Sequence, residues 1–157
     1  MKTFYNARHT LHQGKLEMFR GALVPCFEVP SRVDHVLAEL QRRPLGPVLP
    51  PQAFDDSLLA SIHSPRYLDF LAHAWEEWVA LDATHATRDA LPSVWPLGNR
   101  HACRPDGLPR NFAARLGRFG FDSGSPLMAG TWAAARGGAA CALEAAYEVL
   151  GGARSAF

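Results

Sequence analysis

Ser61-Ile62-His63-Ser64-Pro65-Arg66-Tyr67-Leu68-Asp69-Phe70-Leu71 decides how this chain is read, because a helix start is written into it. Ser64 is suited to cap a helix whose first position is Pro65, where a missing N–H costs nothing. Downstream, Tyr67, Leu68, Leu71, Trp75, Trp78 and Val79 recur at spacings of three and four, which predicts one apolar face for the core. Asp69, His73, Glu76 and Glu77 fall mostly on the opposite side, as on a helix lying outside a larger body.

Before this helix, Lys2 to Tyr5 is β-prone and leads through a polar segment into what reads as a long loop over residues 6 to 30. Met18, Phe19, Leu23, Val24 and Phe27 are too apolar for a disordered loop and predict packing. Ser31 with Asp34 resembles a capping box, and Val33, Val36, Leu37 and Leu40 form the apolar stripe of a helix ending near Arg43-Pro44. Val48-Leu49 reads as a short strand, and Leu58, Leu59 and Ile62 as a short helix behind Asp55-Asp56-Ser57. His63, on the residues alone, bonds a neighbouring backbone group.

After the helix the composition changes. Between Asp82 and Asp122, Pro92, Pro96, Pro105 and Pro109 together with Arg88, Arg100, Arg104, Arg110 and Arg115 interrupt any regular period. So long an irregular stretch reads as a functional loop, an insertion or a subunit contact, and Trp95, Phe112, Phe119 and Phe121 argue against plain disorder. Thr131 is a good N-cap for an Ala-rich helix over 131–150 that stops at Gly151-Gly152. Ser155-Ala156-Phe157 then reads as the first residues of a strand. A helix returning to a strand is half of an α/β unit, and a strand of three residues leaves its sheet unfinished, so the chain reads as truncated.

The 157 residues carry a net charge of +1, with no basic stripe to neutralise phosphates, so no nucleic-acid partner is expected. The absence of an 18-residue apolar run excludes a spanning helix, and the N-terminus lacks a signal-peptide core, which together give the expectation of a cytoplasmic protein. Cys26, Cys103 and Cys141 are unpaired in spacing, and His101-Ala102-Cys103 has no second ligand pair to complete a metal site. The seven histidines are scattered, without a His-Glu-x-x-His pair. Neither a Gly-x-Ser-x-Gly elbow nor a phosphate-binding loop is present. No catalytic or metal-ligating residue is read in these residues.

Three stretches carry a family resemblance. His63-x-x-x-Tyr67-Leu68-x-Phe70-Leu71 resembles the N-terminal region of the histone deacetylase superfamily; residues 17 to 32, Glu17 through Pro30 to Arg32, resemble the first loop of its acetylpolyamine amidohydrolase branch. Ala129-Gly130-Thr131-Trp132-Ala133-Ala134-Ala135 resembles the start of the helix before that family's catalytic core. The resemblance implies an α/β, arginase/deacetylase-like fold, a parallel sheet flanked by helices, of which residues 1–157 are the N-terminal part of a single domain. Within it, 1–30 is a strand plus rim loop, 82–122 an inserted loop and 131–150 a helix.

For function, the resemblance implies a zinc-dependent amidohydrolase that removes acetyl groups from acetylated polyamines or acetyl-lysine-like amines. Zinc is expected in the full-length family member, whose Pro-Gly-His-His and Asp-x-His motifs do not occur here. Glu17 matches an acidic position of the first loop and is the candidate for binding a substrate ammonium, although on the residues alone it is a solvated loop glutamate. Phe19 and Phe27 would line the channel, and Asp122 lies near a rim carboxylate. Gly124 or an alanine stands where the polyamine branch has a further acid. The same resemblance implies a homodimer through the 82–122 loop. A non-catalytic fragment or interaction module is the alternative.

Overall fold

The helix announced by Ser64 and Pro65 forms over Pro65–Leu81, and the Ser64 hydroxyl oxygen accepts the Tyr67 N–H at 3.3 Å. The computed structural model describes residues 1–43, 45–95 and 107–157. In chain order its elements are β1 (Thr3–Phe4), β2 (Leu16–Phe19), β3 (Ala22–Pro25), α1 (Ser31–Arg42), β4 (Val48–Leu49), α2 (Ser57–Ala60), α3 (Pro65–Leu81), α4 (Phe112–Phe119) and α5 (Thr131–Leu150), with 3-10 turns at Ala7–Leu11 and Ala83–Thr87. Pro96, Arg100, His101, Cys103, Arg104 and Pro105, singled out in the sequence, lie outside the described residues. The described chain divides into two units.

The first unit comprises Met1–Gln13, Glu28–Leu68 and Ala129–Phe157. Its β1 pairs in parallel with β4 in the register Thr3↔Val48 and Phe4↔Leu49. On the other side Lys2 forms a parallel bridge with Ala156. The Phe4 N–H donates to the Phe157 carbonyl at 2.7 Å and the Phe157 N–H to the Lys2 carbonyl at 3.0 Å, so the last residues, read in the sequence as the start of a strand, reach β1 through a single bridge. Helix α5 lies against β1 and the 7–11 turn. Asn6 fastens that turn: its amide nitrogen donates to the Ala134 carbonyl at 2.9 Å while its side-chain oxygen accepts the Arg8 N–H at 3.0 Å.

Two helix starts differ from expectation by one position. Ser31 and Thr131 are the first helical residues, with Pro30 and Gly130 at the N-caps and no side-chain cap at either. Pro30 already has helical backbone angles, which leaves Ser31 no capping geometry. The Thr131 hydroxyl is engaged instead with His12 Nδ1 at 3.0 Å. His63 lies with its ring 5.5 Å from that of Tyr67.

Gly14–Phe27 and Asp69–Met128 make the second unit, which holds a contiguous core of Phe70, Ala74, Ala90, Phe112 and Leu116 with Trp78, Phe119 and Leu127 packed around it. The deepest residues of α3 are therefore Phe70 and Ala74, whereas Trp75 and Val79, expected in the core, are half-buried. Phe119 stacks on Phe70 with ring centres 4.9 Å apart, and Trp78 stacks on His85 at 3.6 Å. Arg115 closes a two-bond ion pair onto Glu77, tying α4 to α3. Ala90 and Leu127 exchange backbone hydrogen bonds at 2.8 and 2.9 Å.

Two parts of this unit contradict the sequence reading. Residues 6 to 30 are not one long loop, because β2 and β3 form an antiparallel hairpin with its tip at Arg20 and Gly21, both at positive φ. Nor are residues 82 to 122 irregular throughout. Helix α4 forms there because Asn111 caps it, its side-chain oxygen accepting the Ala114 N–H at 3.3 Å, and Phe112, Leu116 and Phe119 repeat at helical spacing toward the core. Pro109 and Gly120 flank only eight helical residues, too few for their period to show among the breakers.

Glycines give a direct test of this packing. A Cβ at Gly117 would stand inside the Val94 carbonyl oxygen, whereas one at Gly138 meets nothing within 4 Å. Gly117→Ala is expected to destabilise by about 2 kcal/mol or more through overpacking, and Gly138→Ala to stabilise by about 0.5–1 kcal/mol through helix propensity. Thermal melting of the two variants, read as shifts of opposite sign, checks both.

Candidate functional site

Strand alternation puts Glu17 on one face of the hairpin and Leu16 and Met18 on the other. The glutamate faces inward: it is 8% exposed, and its carboxylate accepts the Phe27 N–H at 3.2 Å. Leu16, Met18 and Leu23 are exposed. The hairpin is thus unlike the usual pattern, with Glu17 and its partner Val24 turned inward and Leu16, Met18 and Leu23 outside. Phe19 and Phe27 do not pack away as expected; they are exposed and meet edge to face, with ring centres 5.5 Å apart at 82°. The Arg20 guanidinium stands 5.0 Å from the Phe19 ring centre.

Asp122 is exposed at a turn beyond α4, where one carboxylate oxygen accepts the Gly124 N–H at 2.9 Å and the Ser125 hydroxyl at 3.2 Å. The Met18 N–H donates to the Ser123 carbonyl at 3.2 Å. Glu17 and Phe19 belong to the hairpin, Phe27 to the bend just after it, and Asp122 to the turn bonded to it. A carboxylate held by a backbone N–H, with aromatic faces beside it, is suited to attracting and orienting an organic cation.

Cys26 joins this group, which sequence reading treated only as an isolated cysteine. Its backbone N–H donates to the Lys15 carbonyl at 3.3 Å, and the Lys15 N–H in turn donates to Asp89 at 2.6 Å. Burial raises the Cys26 thiol above its ordinary pKa, and the carboxylates of Glu17 and Asp89 raise it further. The thiol is therefore neutral and unreactive near neutral pH.

The first unit holds a cleft of about 350 Å³ at the carboxyl ends of β1 and β4, walled by Tyr5, Arg8, Gln52, Phe54 and Arg136. Crevices at the carboxyl ends of parallel strands are the usual binding position in α/β sheets. Arg136 is fixed there by Asp56, with the rings of Phe54 and Trp132 at 5.2 and 5.9 Å. The Arg136 charge is matched there by Asp56.

Among the described residues no group of three or more His, Cys, Asp and Glu side chains is placed to hold a metal ion. These residues do not fit a zinc centre, and no step through a metal is derived from them. No described helix is long and apolar enough to cross a membrane.

No family model matches the chain. In sequence it is 40% identical to acetylpolyamine amidohydrolase 2 and 39% identical to acetylpolyamine amidohydrolase 1, both of Pseudomonas aeruginosa, over 157 residues that take in all of this chain and 44% of each relative. The crystal structure of an acetylpolyamine aminohydrolase from Burkholderia pseudomallei is similar with a TM-score of 0.84 and 28% sequence identity, covering 98% of this chain and 42% of that one. This chain spans less than half the length of the curated relatives it matches.

The neighbourhood of Glu17 is testable through the thiol. Glu17→Gln keeps an acceptor for Phe27 but removes one charge that raises Cys26, so the thiol pKa falls toward its ordinary value. Alkylation of Cys26 at about pH 8, followed by peptide mass mapping, is expected to run faster in the variant because the thiolate is the reacting form. An unchanged rate would remove Glu17 from the electrostatics of that site.

Proposed function

We propose that this chain, which matches in sequence and fold the N-terminal portion of the acetylpolyamine amidohydrolases of the histone deacetylase-like branch, supplies the substrate-channel rim of an enzyme that deacetylates acetylated polyamines. The carrying observation is identity at 39–40% along the whole chain to relatives bearing that activity in their names. The amide chemistry, with the zinc that the resemblance implies for it, belongs on this reading to the length of the relatives that this chain does not span. What these residues do is recognise the amine.

Glu17 is the anchor. Its inward carboxylate provides a fixed negative charge for the ammonium of an extended cation, while Phe19 and Phe27 offer apolar walls and ring faces to its methylene chain. Asp122 adds a second carboxylate on the turn that the hairpin holds. Residues 82–122 make the subunit contact of a homodimer on this reading, an assignment carried by the resemblance alone. The protein acts in the cytoplasm.

The test is a chimera joining this chain to the portion of acetylpolyamine amidohydrolase 2 of Pseudomonas aeruginosa that it does not match. It is expected to release acetate from an N-acetylated diamine and to be dimeric by light scattering. Glu17→Gln should raise KM about tenfold with kcat little changed, as for the loss of one charge pair contributing equally to ground and transition states. A chimera that folds and binds metal but releases no acetate would overturn this reading in favour of a non-catalytic interaction module.

A further inference from the structure

The hairpin gathers carboxylates, whereas the cleft at the carboxyl ends of β1 and β4 has the opposite sign. Its walls come from three parts of the first unit: the residues that follow β1, those that follow β4, and the middle of α5. No aspartate or glutamate lines it, and two guanidiniums do. Arg136 spends Nε and Nη2 on Asp56 Oδ1, which leaves Nη1 without a partner among the described residues. Arg8 makes no ion pair among those residues. The wall therefore carries one uncompensated positive charge. Its other surfaces are of a different kind. Tyr5 and Phe54 contribute rings, and Pro50 and Pro51 a rigid saturated edge. Beside Arg136 on α5, Gly137 and Ala140 have too little side chain to fill the space. At about 350 Å³ the cleft lies at the small end of the range for ligand sites.

We propose that this cleft is a binding site for a small monocarboxylate with a flat apolar body, separate from the amine-recognising hairpin. One uncompensated charge matches a monoanion. The planar fork of Arg8 suits the two oxygens of a carboxylate, and Arg136 Nη1 offers a further donor already held in place by Asp56. Rings and prolines suit a flat hydrocarbon body, because they bury apolar area at little conformational cost. A phosphate dianion fits less well, since half of its charge would go unmatched and most of the lining offers it no donor. Organic cations, which the hairpin suits, are repelled here by the sign of the wall. The site uses neither Glu17 nor amide hydrolysis, so it stands apart from the proposed function.

Benzoate is the probe, and benzylamine, with the same ring and the opposite charge, is its control. Both are titrated into the ¹⁵N-labelled full chain while amide shifts are followed. Benzoate is expected to give saturable shifts at Arg8, Gln52 and Ala53 with a Kd on the order of 1 mM, and benzylamine none there. Acetate, which has the charge without the ring, should bind about tenfold more weakly or worse. Arg8→Gln removes the unmatched charge at an exposed position and should weaken benzoate about tenfold or more. Ala53→Trp fills the cleft from an exposed position and should abolish the shifts. Arg118→Gln, the same change at an exposed arginine of the second unit, should leave them as they were. Circular dichroism verifies folding of each variant, and the three ligands on the unaltered chain test the proposal even if a variant fails to fold. Equal binding of benzoate and benzylamine, equal binding of benzoate and acetate, no saturable benzoate shifts, or full affinity in folded Arg8→Gln would each overturn it.

Discussion

The backbone of β1 is the constraint on which the first unit depends, because it is bonded on both flanks. Thr3 donates to Pro47 at 2.9 Å on one side and Phe4 to Phe157 at 2.7 Å on the other. Parallel neighbours cannot be joined by a tight turn, so each pairing demands a long connection. The first carries the β2–β3 hairpin and α1, and the second carries α2 to α5. The elements that bear the candidate site are thus passengers on crossovers that the ladder requires. Thr3, within β1, is buried.

Local chemistry made much of this visible in the sequence. Ser64-Pro65 starts a helix and Val48-Leu49 is a strand as read, while Ser155-Ala156-Phe157 reaches the sheet only through the bridge of Ala156 to Lys2. The hairpin was hidden for a physical reason. Its inward face holds a glutamate and its outward face Leu16, Met18 and Leu23, so hydrophobic alternation points the wrong way. Helix α4 was hidden by its length, since two turns between Pro109 and Gly120 carry too little period to outweigh the surrounding breakers. The starts at Ser31 and Thr131 slipped by one residue because capping ability is a property of the side chain, while capping geometry belongs to the preceding backbone.

The candidate site was legible only in part. Residue type alone leaves Glu17 a solvated glutamate; its burial comes from strand pairing, which turns it inward, and from the Phe27 N–H that accompanies it. Phe19 and Phe27 were named as a channel lining and meet edge to face beside the hairpin. Cys26 carried no signal, because its surroundings of Glu17 and Asp89 are assembled from positions far apart in the chain. The cleft beside Arg136 was equally silent, being built at strand ends from segments that sequence periodicity does not connect.

The separation between Val48 and Ala156, the two partners of one short strand, has a consequence for biosynthesis. The ribosome delivers Val48 early and Ala156 only after α2 through α5 have followed it out. At about 5–20 residues per second that interval lasts roughly five to twenty seconds. During it one flank of β1 waits with unpaired peptide groups, long after helices and hairpins of this size have formed. Until Ala156 and Phe157 arrive, the unpaired peptide groups of residues 2–4 are open to pairing with other extended chains.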